Sequence, residues 1–264
     1  MTKNTTKKKN HDARFQRWLK SNPGGSFSEF FDQYHVPQII EGGQHASLGR
    51  NLSTGDWKTS GRGSYNSVLR VYTELNGGHP LPPDARVCEI GCGTLRIGSH
   101  FINHLNPGNF SGLDISKSLI EDGCQAYSDL LTEKKAVLGT FEEAFDAAVA
   151  MAPDLIFAYN VACHIHPDEE RTFYSRLHQL AHKKGSRVIM QVLVHPTSVR
   201  YQESGWAHPA HYYMDKMRPL EFTMHTQQFI KNVKKAPHTL ASRILAFQRT
   251  QKSSVMDLLP RFRR

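Results

Sequence analysis

Short apolar runs and longer amphipathic runs alternate through the middle of this chain. "RVCEIG", "FSGLD", "AVLG", "DLIFAY" and "SRVIMQVLV" read as strands. Between them, "RIGSHFINHL", "SKSLIEDGCQAYSDLL", "FEEAFDAAVAMA" and "DEERTFYSRLHQLAHKK" repeat apolar residues at helical spacing. In the second of these helices Ser118 and Glu121 have capping-box spacing. Short apolar strands separated by helices predict a parallel sheet covered on both faces. "LEFTMH" and "RILAFQR" predict an antiparallel pair at the sheet edge, with "TQQFIKNVKKAPHT" inserted between them. The expected fold class is α/β: a doubly wound, mostly parallel, seven-stranded sheet with helices on both faces.

A different pattern precedes the sheet. Tyr65, Val68, Leu69, Tyr72 and Leu75 predict a helix over 64–75, which Gly77 and Gly78 can end. Further upstream, "FQRWLK" begins the ordered structure, and "SFSEFFDQYHV" sets Phe27, Phe30, Phe31 and Tyr34 on one helical face. Ser26 and Glu29 have capping-box spacing, and Pro37 predicts the helix end. Glu41 to Gly63 is rich in Gly, Ser and Asn and reads as a loop. The chain therefore divides into a disordered basic tail over 1–12, an N-terminal helical cap or lid over 13–78, and the sheet domain over 79–264.

Composition narrows the function classes. At 264 residues there is room for one large domain or for one domain with an appendage. Formal net charge is +9, but residues 1–14 carry five basic residues against one acid, and the terminal "RFRR" adds three more. The body is near neutral, unlike a nucleic-acid-binding domain, whose basic excess lies on the folded surface. No apolar run is long enough to span a membrane, and the N-terminus has no signal-peptide pattern, so a cytoplasmic location is expected. Cys88, Cys92, Cys124 and Cys163 show no zinc spacing and read as reduced thiols.

The chemistry begins at "VCEIGCGTLRIG". Gly91 and Gly93 follow the first strand of the sheet domain, where glycine lets backbone approach a ligand. A dinucleotide site wants a third glycine three residues after the second; here that position is Arg96. The segment instead resembles motif I of class I S-adenosylmethionine-dependent methyltransferases, E/D-x-G-x-G-x-G. Glu89, Gly91 and Gly93 match it, and Leu95 stands at the usual third glycine. "SGLDIS" places Asp114 at the end of the second strand, 25 residues after Glu89. "LAHKKGSRVIMQV" looks like the family's segment leading into strand five. The resemblance spans about residues 85–194 and implies a Rossmann-like domain of the small-molecule type.

The resemblance also implies a site. S-adenosylmethionine is the expected cofactor. Glu89, Gly91, Cys92 and Gly93 would hold its methionine side, and Asp114 with Ile115 the ribose. A carboxylate can accept both ribose hydroxyl protons. Thr140, Phe141 and Glu142 are candidates for the adenine, and Asn160 for a further cofactor contact. Arg62, with Trp57 and Tyr65 from "WKTSGRGSY", is expected to cover the cofactor from the lid. A base is needed only where the acceptor arrives protonated. His164 and His195 follow strands four and five and are the candidate bases, with Tyr159 beside them; His166, His208 and His211 lie nearby in sequence. A pair such as His164 and His166 with no third ligand is a weak metal signal, so no metal is expected. "YNVA" lacks the Asn-Pro-Pro-Tyr segment of many nucleobase methyltransferases. The expected function is methyl transfer to an oxygen or nitrogen of a small metabolite, in specialised-metabolite or glycan biosynthesis. No nucleic acid and no membrane span are expected, and a homodimer is compatible with the family. An RNA methyltransferase aided by the basic tails and a non-catalytic cofactor-binding module are the alternatives.

Overall fold

A computed structural model describes residues 12–42, 48, 60–228 and 240–250. Most of the two basic tails, Trp57 with its immediate neighbours, and most of the insertion after "LEFTMH" lie outside the described residues.

The sheet has seven strands: β1 (Val87–Ile90), β2 (Phe110–Asp114), β3 (Val137–Thr140), β4 (Leu155–Ala158), β5 (Arg187–Val194), β8 (Glu221–Gln228) and β9 (Ala241–Gln248). Their order is β3-β2-β1-β4-β5-β9-β8. The first five are parallel, while β9 runs antiparallel to both β5 and β8. Alternation along each strand sorts the core into two layers. Cys88, Ile90, Ile156, Met190, Leu245 and Phe247 face one side, against α8 (Phe141–Ala150), α9 (Glu170–Leu180) and α10 (Ala210–Lys216). Val87, Leu155, Phe157, Ile189 and Ile244 face the other, against α4 (Arg62–Leu75), α5 (Gly98–His104), α6 (Lys117–Ala126) and α7 (Ser128–Lys134). β1, β2 and β4 are buried throughout and β5 and β9 nearly so, which is why these strands read as apolar runs, while the edge strands β3 and β8 are more exposed.

Four expectations need correction. The single helix expected after β2 is two, α6 and α7, divided at Tyr127, whose φ of −121° leaves the helical region. Its N-cap is Ser116, whose side chain accepts from the Leu119 amide, so Ser118 lies inside the first turn and forms no capping box. A short hairpin, β6 (Val199–Gln202) with β7 (Gly205–Ala207), intervenes between β5 and α10. Pro37 does not end its helix either. The chain runs from α2 (Phe27–Phe30) through a π-helical turn at Phe31–His35 into α3 (Val36–Gly42). Within that turn the Val36 amide bonds back five residues, to the Phe31 carbonyl. Widening the turn just before the proline shifts the bonding register where Pro37 has no N–H to give.

The N-terminal helices are fastened to the sheet domain. Phe15 of α1 (Ala13–Ser21), together with Phe27 and Phe30, packs against Trp206 of β7. His166 joins this cluster, its ring stacked on Phe27 at 4.9 Å. Arg14 pairs with Glu203 of the hairpin turn at 3.1 Å, and Arg200 pairs with Asp12. The Glu169 carboxylate accepts from both the amide and the hydroxyl of Ser28, at 2.8 and 2.9 Å. The capping box of Ser26 and Glu29 is present as expected.

Candidate active site

Strand order reverses at β1 and β4, and a cleft of about 1070 Å³ opens at their carboxyl ends. Its floor is Gly91, Cys92 and Gly93 after β1, Asp114 and Ile115 after β2, and Tyr159, Asn160 and Val161 after β4. Its roof is the stretch from Ser26 to Ile39.

The glycine loop is shaped by close approach. Gly91 has φ +73°, and a Cβ there would lie 2.2 Å from the Val161 side chain. Gly93 has φ +47° and nothing within 4 Å of such a Cβ except the Asp114 carboxylate, so the space above it is free for a ligand. Leu95, at the usual third glycine, takes the same left-handed backbone, φ +62°, while its side chain is fully buried. The loop thus keeps its path without the third glycine, and the leucine plugs the core beneath it.

Two carboxylates face this loop. Asp114 is 7% exposed and accepts from the amides of Gly93 (2.7 Å) and Ser116 (2.9 Å). Burial pushes its carboxyl up, against the pull of the backbone amides. Glu89 is 2% exposed, and its Oε2 has no hydrogen-bond partner. Burial drives its carboxyl well above the usual range; the Arg96 charge opposes this and Asp114 adds to it. A buried carboxylate oxygen without a donor is costly on its own and suits a ligand that brings one. These features fit a cofactor carrying an ammonium and a ribose diol.

Asn160 also has a left-handed backbone, φ +61°. Its amide donates to Gln191 Oε1, and Gln191 Nε2 in turn donates to Ser242 on β9. The turn after β4 is thereby anchored two strands away. Phe141 and Glu142 line the cleft at the start of α8, with the Arg176 guanidinium 4.1 Å over the Phe141 ring. Thr140 does not line it: it forms a capping box with Glu143 and so sets where α8 begins.

The histidines separate. His164 lines the cleft, and its Nδ1 donates to the Ser204 carbonyl in the hairpin turn, which leaves Nε2 as the second ring nitrogen. Burial disfavours its charged form, but the Cys163 sulfur and the Ser204 carbonyl favour it, and the result is a value raised to about 9. His195 does not reach the cleft; it bonds Thr197 in the turn after β5. His166 is occupied by the aromatic cluster, so the two histidines of "HIH" diverge. His208 bonds Ser198 and stacks on Tyr212, and His211 is exposed. Arg62 is exposed at the start of α4 and does not line the cleft. The arginines that do are Arg176, over Phe141, and Arg96, half-buried beside Glu89. The Arg96 carbonyl lies 2.0 Å from where a Cβ of Gly61 would fall, so Gly61 lets the α4 N-terminus close on the loop. Sequence reasoning also missed Asp32, His35 and Gln202, which reach the cleft from the roof and the hairpin. Among the described residues no group of three His, Cys, Asp or Glu side chains is arranged to hold a metal ion. No helix among them is long and apolar enough to cross a membrane.

Residues 88–186 match the family described as a methyltransferase domain. Over that stretch the chain is similar to methyltransferase domains. Comparison with curated protein sequences finds no match. Several solved structures share the fold. Phosphoethanolamine N-methyltransferase 2 of Haemonchus contortus, in complex with S-adenosyl-L-methionine, is 12% identical with a TM-score of 0.60, over 87% of this chain and 61% of that one. The [4+2]-cyclase SpnF is 11% identical with a TM-score of 0.58, over 84% and 95%. Magnesium protoporphyrin IX methyltransferase of Synechocystis PCC 6803, with bound SAH, is 16% identical with a TM-score of 0.53, over 84% and 98%. At these identities the likeness carries the fold of the methyltransferase domain; the chemistry rests on the cleft.

Proposed function

We propose that this chain transfers a methyl group from S-adenosylmethionine to an oxygen or nitrogen of a small metabolite in the cytoplasm. The observation that carries the reading is the cleft at the carboxyl ends of β1 and β4. It joins the motif I loop and Asp114 at one end to His164 at the other, beneath a roof of N-terminal helices. Its volume of about 1070 Å³ is at the upper end of ligand pockets, which run to about 1,000 Å³, and suits a nucleoside cofactor with a small acceptor. The N-terminal helices that line the cleft are consistent with a small acceptor.

When bound, S-adenosylmethionine supplies a methyl group on a positively charged sulfur. Glu89 and Asn160 would hold the methionine side, Asp114 the ribose, and Ile115, Phe141 and Glu142 the adenine. The protein's task is alignment: holding acceptor, methyl and sulfur in line contributes several kcal/mol, out of about 7–11 available to well-oriented reactions. His164 would take up the proton that a protonated acceptor gives up on methylation, at Nε2. The Ser204 carbonyl holds the ring in the tautomer that leaves Nε2 free to accept it.

The test uses methyl-labelled S-adenosylmethionine and fractionated cell extract, with label counted separately in small molecules, protein and nucleic acid. Label in the small-molecule pool is expected, and its rate should climb with pH toward about 9, where His164 loses its proton. His164→Ala should flatten that profile. Label in nucleic acid would overturn the acceptor assignment. The likeness to a cyclase favours a second reading, in which the cleft catalyses without methyl transfer. Cofactor binding with no label in any pool, together with a chemically altered unlabelled compound, would establish it.

A further inference from the structure

The roof contributes a charge to the cleft as well as a cover. Asp32 sits in the π-helical turn, a widened turn of the kind that often marks functional positions. It lines the same cleft as Glu89 and Asp114, and its Oδ1 is buried without a hydrogen-bond partner. Its negative charge reaches Asp114, where it adds to the cost of ionisation. His35 of the same turn offers little compensation, because burial lowers its tendency to carry charge. Three carboxylates thus converge on one end of the cleft. Two of them, Glu89 and Asp32, have a buried oxygen with no hydrogen-bond partner among the described residues. Arg96 lies beside Glu89, Arg176 sits over the Phe141 ring, and among the described residues no lysine lines the cleft.

Like charges held together in a buried site are relieved by a positive ligand. Before transfer the cofactor carries a sulfonium; afterwards its sulfur is a neutral thioether. Resting on the cofactor reading above, we propose that Asp32 is a charge-selecting residue, which makes the cleft prefer S-adenosylmethionine over the demethylated product. The roof residue would then weaken its grip on the nucleoside at the moment the methyl leaves. Asp114 cannot supply this discrimination, because a ribose diol is the same before and after transfer.

Isothermal titration of the full chain with S-adenosylmethionine, S-adenosylhomocysteine and sinefungin tests this. Sinefungin carries an ammonium near the place of the sulfonium. For Asp32→Asn, which keeps size and removes charge, the two cationic ligands should bind about tenfold more weakly, as expected for one unit charge several ångströms away in a partly buried site. S-adenosylhomocysteine should stay within about twofold, and that retained affinity also shows that the variant folds. Equal weakening of all three ligands, or no change in any, would overturn the proposal. Failure of the unmodified protein to bind any of the three would overturn the cofactor reading itself, and this inference with it.

Discussion

Leu95 is the residue where this chain departs from motif I, and its geometry gives the departure a measurable consequence. A non-glycine residue at φ +62° costs roughly 1–2 kcal/mol. Removing a fully buried leucine side chain costs about 2–5 kcal/mol. Leu95→Gly, although it restores the family pattern, is therefore expected to destabilise the protein. Leu95→Ala should do so by about 1 kcal/mol more, because alanine loses the packing and keeps the strain. Denaturant unfolding of the two variants checks the order, which is the reverse of that for a helical or extended site. Glu89, Gly91, Gly93 and Asp114 were legible because the motif places them within a few residues of strand ends, where topology leaves them little choice of position. Arg96 was read only as the residue that breaks a dinucleotide pattern. Its role depends on burial beside Glu89, which no spacing reveals. His195 and Arg62 were plausible by the same end-of-element logic, but a side chain at an element's end can turn either way, and these two turn outward.

The inner strands were legible as elements because burial on both faces makes them continuously apolar. The hairpin β6–β7 was not, since its few residues include Arg200, Gln202 and Trp206 and show no alternation. That omission matters, because the hairpin supplies the Ser204 carbonyl that orients His164 and the Glu203 carboxylate that meets Arg14. The π-helical turn was also hidden, since Pro37 alone reads as a stop. The most direct tie between roof and body is the pair of bonds from Ser28 to Glu169. Each hydrogen bond to a charged group contributes about 1.5–3 kcal/mol. Glu169→Ala is expected to speed hydrogen exchange of the amides over 27–35 by about tenfold or more, while those of β1 and β4 remain protected. Unchanged exchange in the roof would mean that the aromatic cluster around Trp206 holds it unaided.

Across the whole molecule, the buried charges of the cleft set how stability varies with pH. Glu89, Asp114 and His164 all have raised values in the folded chain. A raised group contributes stability that is complete below its unfolded value and is lost as pH climbs through its folded value. For the carboxyls that loss starts from ordinary values of 4.5 and 3.8, and for His164 it runs from 6.5 to about 9. Asp154 has the opposite sign. Burial works against its charge, but Lys183 and Arg86 hold the carboxyl below 3.8, so its contribution fades only as pH falls through that lower range. Burial lowers His35, His178 and His208, so their contribution fades as pH falls below 6.5. From pH about 6.5 toward about 9 the ligand-free protein should therefore melt at steadily lower temperature as His164 loses its proton. S-adenosylhomocysteine should flatten the slope contributed by the two carboxylates. A melting temperature that rises from neutral to alkaline pH would contradict this account. The sheet order carries a consequence of another kind. Strand β9 pairs with β5 across eight residues and separates it from β8. While the chain is being made, β8 emerges from the ribosome with no neighbour to receive it, and the apolar flank of β5 stays open until synthesis has passed Gln248. Chaperones would meet this protein as a half-finished sheet with one sticky margin, and truncation just before Ala241 would leave that margin permanently uncovered.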